Sequence, residues 1–271
     1  MRNVWLITGA NRGIGAAITK AALAAGHYVV AASRHPEAIA DTFGDAPNLL
    51  ALQLDVTSEA EAQCAIAQVV ARYGRLDVLV NNAGYALLGA LETTSDAEVR
   101  RLFDTNVFGL LNVTRAALPQ LRQQQAGHII NISSMQGVIG APASSSYSGS
   151  KFAVEGISES LHQEVRPLGI RVTLVEPGTF RTELLGDQSL HKAQATLPAY
   201  EPTAGQTLRG AAQRPPARRP SPAGRRHRAA SRRSRATATL SGRFRCRAAR
   251  NTGATPPPGR SGAVARFIRF Y

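Results

Sequence analysis

Six short apolar runs recur through the first 180 residues, at 4–7, 28–32, 49–54, 77–80, 128–132 and 170–175, with segments of helical period between them. Apolar runs that do not alternate with polar residues belong to strands covered on both faces, and strands separated by helices are joined by crossovers. The pattern predicts an α/β chain with a parallel, doubly wound sheet. In such sheets ligands gather at the carboxyl ends of the strands, where the winding reverses. Ser58-Glu59-Ala60-Glu61 and Ser95-Asp96-Ala97-Glu98 read as capping boxes. The first opens a helix with Ala62, Ile66, Val69, Val70 and Tyr73 on one face, the second a helix carrying Val99, Leu102, Phe103, Val107 and Leu110. A third long helix is expected to turn Phe152, Ile157, Leu161, Val165 and Leu168 inward and to stop at Gly169.

Charge divides the chain in two. Of 271 residues 32 are Lys or Arg and 18 are Asp or Glu, yet residues 208–271 hold 17 Arg, no Lys and no acid. Residues 1–207 therefore carry a net charge of −3, and the high pI is no argument that the whole protein binds nucleic acid. No apolar run approaches the ~18 residues of a membrane helix, and the N-terminal apolar stretch is too short for a signal peptide. Cys64 and Cys246 make neither a disulfide framework nor a metal spacing, so a reducing cytoplasm is the expected location.

The first strand runs into Thr8-Gly9-Ala10-Asn11-Arg12-Gly13-Ile14-Gly15 and then an Ala-rich helix. Glycines at this junction let backbone approach a pyrophosphate, which the helix N-terminus stabilises. No Gly-Lys-Ser/Thr follows, which excludes a Walker loop. The second strand ends in Ser33-Arg34, with no acid to hold a ribose 2′-hydroxyl and Glu37 three residues further on. Arg34, with Arg12 as a second charge, suits a 2′-phosphate. Together they favour NADP(H), with NAD(H) left open.

Tyr147-Ser148-Gly149-Ser150-Lys151 sets Tyr and Lys one helical turn apart on one face. A nearby ammonium stabilises a phenolate, so such a Tyr is suited to general acid/base work. Thirteen residues upstream, at the end of a predicted strand, Ser134 is placed to hydrogen-bond a substrate oxygen. Ser133 is its rival, and the thirteen-residue offset favours Ser134. Asn106 falls mid-helix, where Asn is unfavourable, which points to a local task. His27, His128, His162 and His191 have no partner spacing and are assigned to structure.

Taken in order and spacing, residues 8–15, Asn81-Asn82-Ala83-Gly84, Asn106, Ser134, Tyr147/Lys151 and Glu176-Pro177-Gly178-Thr179 resemble the short-chain dehydrogenases/reductases, across roughly residues 1–207. The similarity looks closest to the single-domain NADP(H)-using branch with hydroxysteroid dehydrogenase-like enzymes, and implies a Rossmann-type fold. It implies Tyr147 as acid/base, Ser134 as the substrate-orienting residue, and Lys151 as a ribose ligand that lowers the Tyr147 pKa. Asn106 would hold a relay water. It also implies cofactor contacts from Gly9, Asn11, Arg12, Gly13, Ile14, Gly15 and Arg34, and from Asp55 with Val56 at the adenine. Asn82, Ala83 and Gly84 would lie beside the adenosine ribose, and Pro177, Gly178, Thr179 and Thr182 beside the nicotinamide. Two local alternatives stay open: residues 81–84 as sheet stabilisers, and Asp55-Val56-Thr57 as a helix start. Residues 183–200 are expected to cover the substrate. Tyr85, Leu87, Leu88, Met135 and Val138 suggest an apolar pocket.

From Leu208 the family pattern stops. Arg, Ala, Pro, Gly, Ser and Thr make up 52 of the last 64 residues, a composition that does not order itself. Residues 208–271 are therefore expected to depart from the fold as a tail without stable structure, in which only 264–271 suit a strand. Two origins fit: a basic interaction arm, or out-of-frame translation of GC-rich DNA, which better explains Arg without Lys. The homo-oligomer usual in the family is placed in doubt.

The sequence thus reads as an NADP(H)-dependent oxidoreductase that interconverts a small carbonyl compound and a secondary alcohol, with no membrane partner. The alternative is a catalytically silent nucleotide-sensing or nucleic-acid-associated protein using the tail. The complete Tyr/Lys/Ser/Asn set argues against it. A sugar-nucleotide epimerase is disfavoured by glycine spacing and length.

Overall fold

The computed structural model describes residues 2–178, 190–212 and 267–270. In chain order the first half runs β1 (Val4–Thr8), α1 (Gly13–Ala24), β2 (Tyr28–Ser33), α2 (Glu37–Phe43), β3 (Leu49–Gln53), α3 (Glu59–Tyr73) and β4 (Val78–Asn81). There follow β5 (Ala86–Leu88), α4 (Asp96–Phe103), α5 (Gly109–Gln124), β6 (Gly127–Ile132), α6 (Ser145–Val165) and β7 (Ile170–Glu176). The last are β8 (Leu190–Lys192), α7 (Gln206–Ala212) and β9 (Phe267–Phe270). All six expected strands are present, each within a residue or two of its apolar run.

The main sheet has the order β3-β2-β1-β4-β6-β7-β9. Its first six strands are parallel. Winding proceeds outward from β1 to β3 and then reverses to β4, so the switch point lies between the ends of β1 and β4. Alternate strand residues serve opposite faces. Leu6, Val30, Leu52, Ile129 and Val172 pack with Ile66, Val69, Val113, Leu121 and Leu161 of α3, α5 and α6. Ile7, Val29, Ala31, Val78 and Val80 pack with Ile14, Ala22 and Ile39 of α1 and α2. Both faces are therefore buried, as the unalternated runs require.

The helix signals hold unevenly. At Ser95 the capping box is complete, with side chain and backbone exchanging bonds with Glu98. At Ser58 the hydroxyl caps Glu61 N, but the Glu61 carboxylate accepts from Asp55 N at 2.8 Å instead. Phe152 and Leu168, expected inside, are 47% and 37% exposed. The inward face of α6 runs through Lys151, Val154, Ser158, Leu161 and Val165, which puts Phe152 about 100° away from Lys151 around the helix. Leu168 lies beyond α6, in a 3₁₀ turn ended by Gly169 at φ +74°.

Two observations bear on the C-terminal region. Helix α7 crosses the expected 207/208 division, and Leu208 packs against Ala90, Ala143 and Ala204. Strand β9, inside the 264–271 stretch, pairs with β7 antiparallel, Thr173 opposite Phe270 and Glu176 opposite Phe267. The β7 edge is thus covered rather than open, and the sheet is not wholly parallel. Residues 213–266, Thr179, Thr182 and the first part of the expected covering segment lie outside the described residues.

Candidate active site

The ends of β1 and β4 are stitched together by side chains. Thr8 Oγ1 accepts from the backbone N–H groups of Asn82 and Ala83, both at 3.0 Å. Asn82 Nδ2 donates to the carbonyls of Thr8 at 2.8 Å and Gly9 at 3.0 Å. Gly9 sits at φ +62° and Gly13 at φ +55°, a backbone region that L side chains rarely adopt. A Cβ on Gly15 would lie 2.3 Å from the Gly9 carbonyl oxygen and 2.5 Å from Asn82 Nδ2, so helix and turn approach as closely as backbone allows. At the N-terminus of α1 no side chain caps and no acid stands in the first turn.

A cleft of about 760 Å³ opens over this turn. Its walls include Gly9, Asn11, Arg12, Gly13, Ile14 and Arg34 on one side, and Asp55, Val56, Asn82, Ala83 and Gly84 on the other. Arg12 lies near enough to Arg34 that its guanidinium is shifted below the usual range, first by burial and then by the charge of Arg34. Asp55 also keeps a local task, accepting from Thr57 N at 2.9 Å and Thr57 Oγ1 at 2.8 Å. Residues 81–84 likewise serve the sheet: Asn81 Nδ2 donates to Thr114 Oγ1 and Asn131 Oδ1, each at 2.9 Å. The sheet-stabilising alternative is therefore present alongside the cleft lining, whereas Asp55-Val56-Thr57 makes a turn ahead of α3, whose N-cap is Ser58.

The sequence reading did not include Arg101, His191, Lys192 and Gln194 among the cleft walls. Strand β8 pairs parallel with β5, His191 sets its ring edge-on to Tyr85 at 4.7 Å, and Gln194 N donates to Glu98 Oε1 at 3.2 Å. The described end of the covering segment is thus fastened beside the cleft.

The other predicted residues meet where β6 ends against α6. Tyr147 is in the first turn of α6, and the Ser134 hydroxyl lies near enough to its phenol to act on its pKa. Ser134 also accepts from Gln136 N at 3.1 Å, opening a 3₁₀ turn over Met135–Gly137. The Ser133 hydroxyl donates instead to the Glu155 carboxylate, which separates the two rival serines. Buried Lys151 donates from Nζ to the Ile132 carbonyl at 2.8 Å, and its Nζ stands 6.0 Å from the Tyr147 ring centre.

Burial raises the Tyr147 phenol above its ordinary value, opposed by the nearby Ser134 hydroxyl. The expected lowering by Lys151 is not among the pulls on it. Lys151 is desolvated and committed to a carbonyl, and burial lowers its own value to about 8 against the pull of Glu155.

Asn106 lies not in regular helix but in a π-helical turn, Asp104–Phe108, that joins α4 to α5. Its Oδ1 accepts from Tyr85 N at 3.0 Å, and its Nδ2 donates to Tyr85 O at 2.9 Å and Ser150 Oγ at 3.1 Å. A Cβ on Gly84 would stand 2.9 Å from Asn106 Oδ1 and 3.9 Å from Lys151 Nζ, so glycine there lets the two halves of the site adjoin. Pro177 accepts from Met135 N at 3.1 Å, which ties the end of β7 to the Ser134 turn. Besides the four cleft residues named above, sequence reasoning did not assign Thr8 or Glu155 a place in the site. A hydroxyl at a buried strand end and a carboxylate four residues after Lys151 were the available signals.

Among the described residues no group of side chains suits a metal ion, and no helix is long and apolar enough to cross a membrane.

Residues 3–193 match the family pattern described as short chain dehydrogenase. The oxidoreductase BOA17 of Botryotinia fuckeliana (strain B05.10) is 40% identical over 208 residues, 76% of this chain and 75% of its own. A short-chain dehydrogenase from Streptomyces avermitilis superposes with a TM-score of 0.71 at 44% identity, covering 77% of each chain. ElxO, solved with NADP bound, superposes with a TM-score of 0.65 at 31% identity, over 71% of this chain and 87% of that one. With 3–193 matched and the strand order, glycine turn and tyrosine helix in place, this chain belongs to the short-chain dehydrogenases, nucleotide-dependent oxidoreductases on a Rossmann-like fold.

Proposed function

We propose that the protein interconverts a carbonyl and a secondary alcohol with NADP(H), Tyr147 acting as the acid/base. The observation that carries this reading is the Tyr147 phenol placed beside the Ser134 hydroxyl, one turn from the buried Lys151, whose Nζ holds the Ile132 carbonyl. The glycine turn fits a dinucleotide: at Gly15 a Cβ would fill the space between turn and helix, and the uncapped start of α1 faces the same cleft. Gly9, Asn11, Gly13 and Ile14 would hold the pyrophosphate, Asp55 and Val56 the adenine, and Asn82 to Gly84 the adenosine ribose. Pro177 and Gly178 would border the nicotinamide. NADP(H), when bound, supplies or takes up the hydride.

In the reductive direction Ser134 orients the substrate oxygen and Tyr147 delivers the proton to it. A phenol kept neutral by burial is in the right state to donate. In oxidation the same phenolate oxygen takes the alcohol proton. Lys151 and Asn106 stand next to this pair, Lys151 to bind the nicotinamide ribose and Asn106 to fix the Tyr85 backbone and, with a water, to pass protons on. Arg12 and Arg34 repel each other unless an anion lies between them, which favours a 2′-phosphate over a hydroxyl. ElxO, with NADP bound, supports the same preference. NAD(H) use is the outcome to measure against it.

A panel of aldehydes and ketones, followed by loss of NADPH absorbance, tests the proposal. Turnover of at least one, faster with NADPH than with NADH, is expected. NADPH binding with no turnover across the panel would favour the nucleotide-sensing alternative.

A further inference from the structure

We propose that Glu155 is a positioning residue for the tyrosine–lysine pair: through Ser133 it fixes the strand end that carries Ser134, and it supplies the countercharge to the Lys151 ammonium. The inference rests on the reading of Tyr147 and Lys151 given above and adds a residue to it.

Tyr147, Lys151 and Glu155 follow one another at four-residue intervals on α6, so they rise along one face of the helix. Opposite them, three consecutive residues of the β6 end each adjoin one of the three, and two of the pairs are hydrogen-bonded. The Ile132 carbonyl accepts from Lys151 Nζ at 2.8 Å. The Ser133 hydroxyl donates to Glu155 Oε1, and the Ser134 hydroxyl lies beside the Tyr147 phenol. Removing the middle grip leaves Ser134 held only by its neighbours. The chain after Ser134 is shaped around this contact. A Cβ on Gly137 would lie 2.6 Å from Ser133 Oγ and 2.9 Å from Glu155 Oε1, so the turn closes over the pair only because residue 137 is glycine.

The electrostatic part follows from what faces Lys151. Strand β6 offers it a carbonyl, and the Gly84 and Asn106 side offers neutral groups. On its own helix Tyr147 is the other titratable neighbour, and Glu155 is the charge that acts on it. Burial already brings the lysine down to about 8. Without a carboxylate at 155 it would titrate within the neutral range and lose the charge that a ribose ligand and phenolate partner needs.

The test reads the lysine itself in the intact chain without cofactor. The sequence has three lysines, Lys20, Lys151 and Lys192, so ¹³Cε-lysine NMR resolves them, and Lys151→Met assigns the buried one. Glu155→Gln keeps an acceptor for Ser133 and removes only the charge. Its Lys151 midpoint is expected to fall by about one pH unit, a tenfold loss of proton affinity. Ser133→Ala, which keeps the carboxylate, should leave the midpoint within a few tenths of a unit of wild type. An unmoved midpoint in Glu155→Gln, or an equal shift in both variants, overturns the role.

If the glutamine variant does not fold, as judged by fluorescence of the single Trp5, Glu155→Met, which also removes the charge, replaces it. A midpoint below wild type supports the role, and an unchanged one overturns it. Failure of the wild type to oxidise NADPH with any carbonyl defeats the reading of the site. An unmoved lysine defeats the role of Glu155 alone.

Discussion

The nucleotide end of the cleft is made mostly of backbone. Its turn is shaped by Gly9, Gly13 and Gly15, and the side chains that matter there, Thr8 and Asn82, bond carbonyls and N–H groups rather than one another. The proposed catalytic end is made of side chains, with Lys151 and Asn106 bonded to named atoms, Ser134 beside Tyr147, and Tyr147 and Lys151 shifted in pKa by burial. A backbone site is set by shape, so its failures should be graded. A site of buried single functional groups should fail at once when one atom is removed. Four experiments separate these behaviours.

The largest effect is expected for Tyr147→Phe. Removing one hydroxyl takes away the proposed proton carrier and should lower kcat by about 10³-fold or more, while NADPH affinity by fluorescence titration stays within about threefold. A variant retaining more than a tenth of the wild-type rate would break the comparison on its catalytic side.

The foundations of the catalytic end should also be the more acid-sensitive. His128 on β6 is partly buried beneath Arg171, with its ring nitrogen 2.7 Å from Thr173 Oγ1, and desolvation lowers its value to about 4 from 6.5. A histidine more acidic in the folded state binds protons preferentially when unfolded. Stability is therefore full above about pH 6.5 and declines as pH falls towards 4, by roughly 3 kcal/mol at most. Amide exchange at pH 5 should lose protection in the β6–β7 pair before the β1–β2 pair, and His128→Gln should flatten the pH dependence of unfolding. Equal loss in both pairs would remove the distinction.

On the backbone side, Gly15→Ala places a methyl 2.3 Å from the Gly9 carbonyl oxygen. Turn and helix must part to admit it, at a cost of about 2 kcal/mol, visible as a lower Tm and an NADPH affinity reduced more than tenfold. Smaller still is Arg34→Asp. It should move the ratio of NADPH to NADH kcat/KM at least tenfold towards NADH, since one charge-assisted contact is worth roughly 1.5–3 kcal/mol. An unchanged ratio would remove Arg34 from the cofactor end.

The same difference explains what could be read in the sequence. Strand positions and the glycine turn were legible because backbone demands leave periodic and residue-specific marks: unalternated apolar runs, and glycine where φ is positive. Tyr147 and Lys151 were legible because both lie on one helix at a fixed spacing. Contacts between elements were not. Nothing near Ser133 announces Glu155, 22 residues away, and nothing near Asn106 announces Tyr85. Phe152 was misplaced because an apolar residue adjacent to the inward face looks the same in a linear pattern as one on it. The direction of β9 was invisible for another reason: antiparallel addition needs no crossover helix and leaves no pattern of its own.

The π turn at Asp104–Phe108 sets a condition on how this helix can change. One residue more than regular helix requires is lodged there, between two stretches that would otherwise run on as one rod. Deleting a residue from the turn would heal the hydrogen-bond ladder and give a more regular helix. It would leave the two flanking stretches close to their present phase, because the wide turn takes up its extra residue without turning the helix beyond it, and would remove the bulge from which Asn106 reaches Tyr85 and Ser150. The irregularity houses one residue without disturbing the helix on either side, so a deletion that repairs it would spare the core contacts of α4 and α5 and cost only what Asn106 holds.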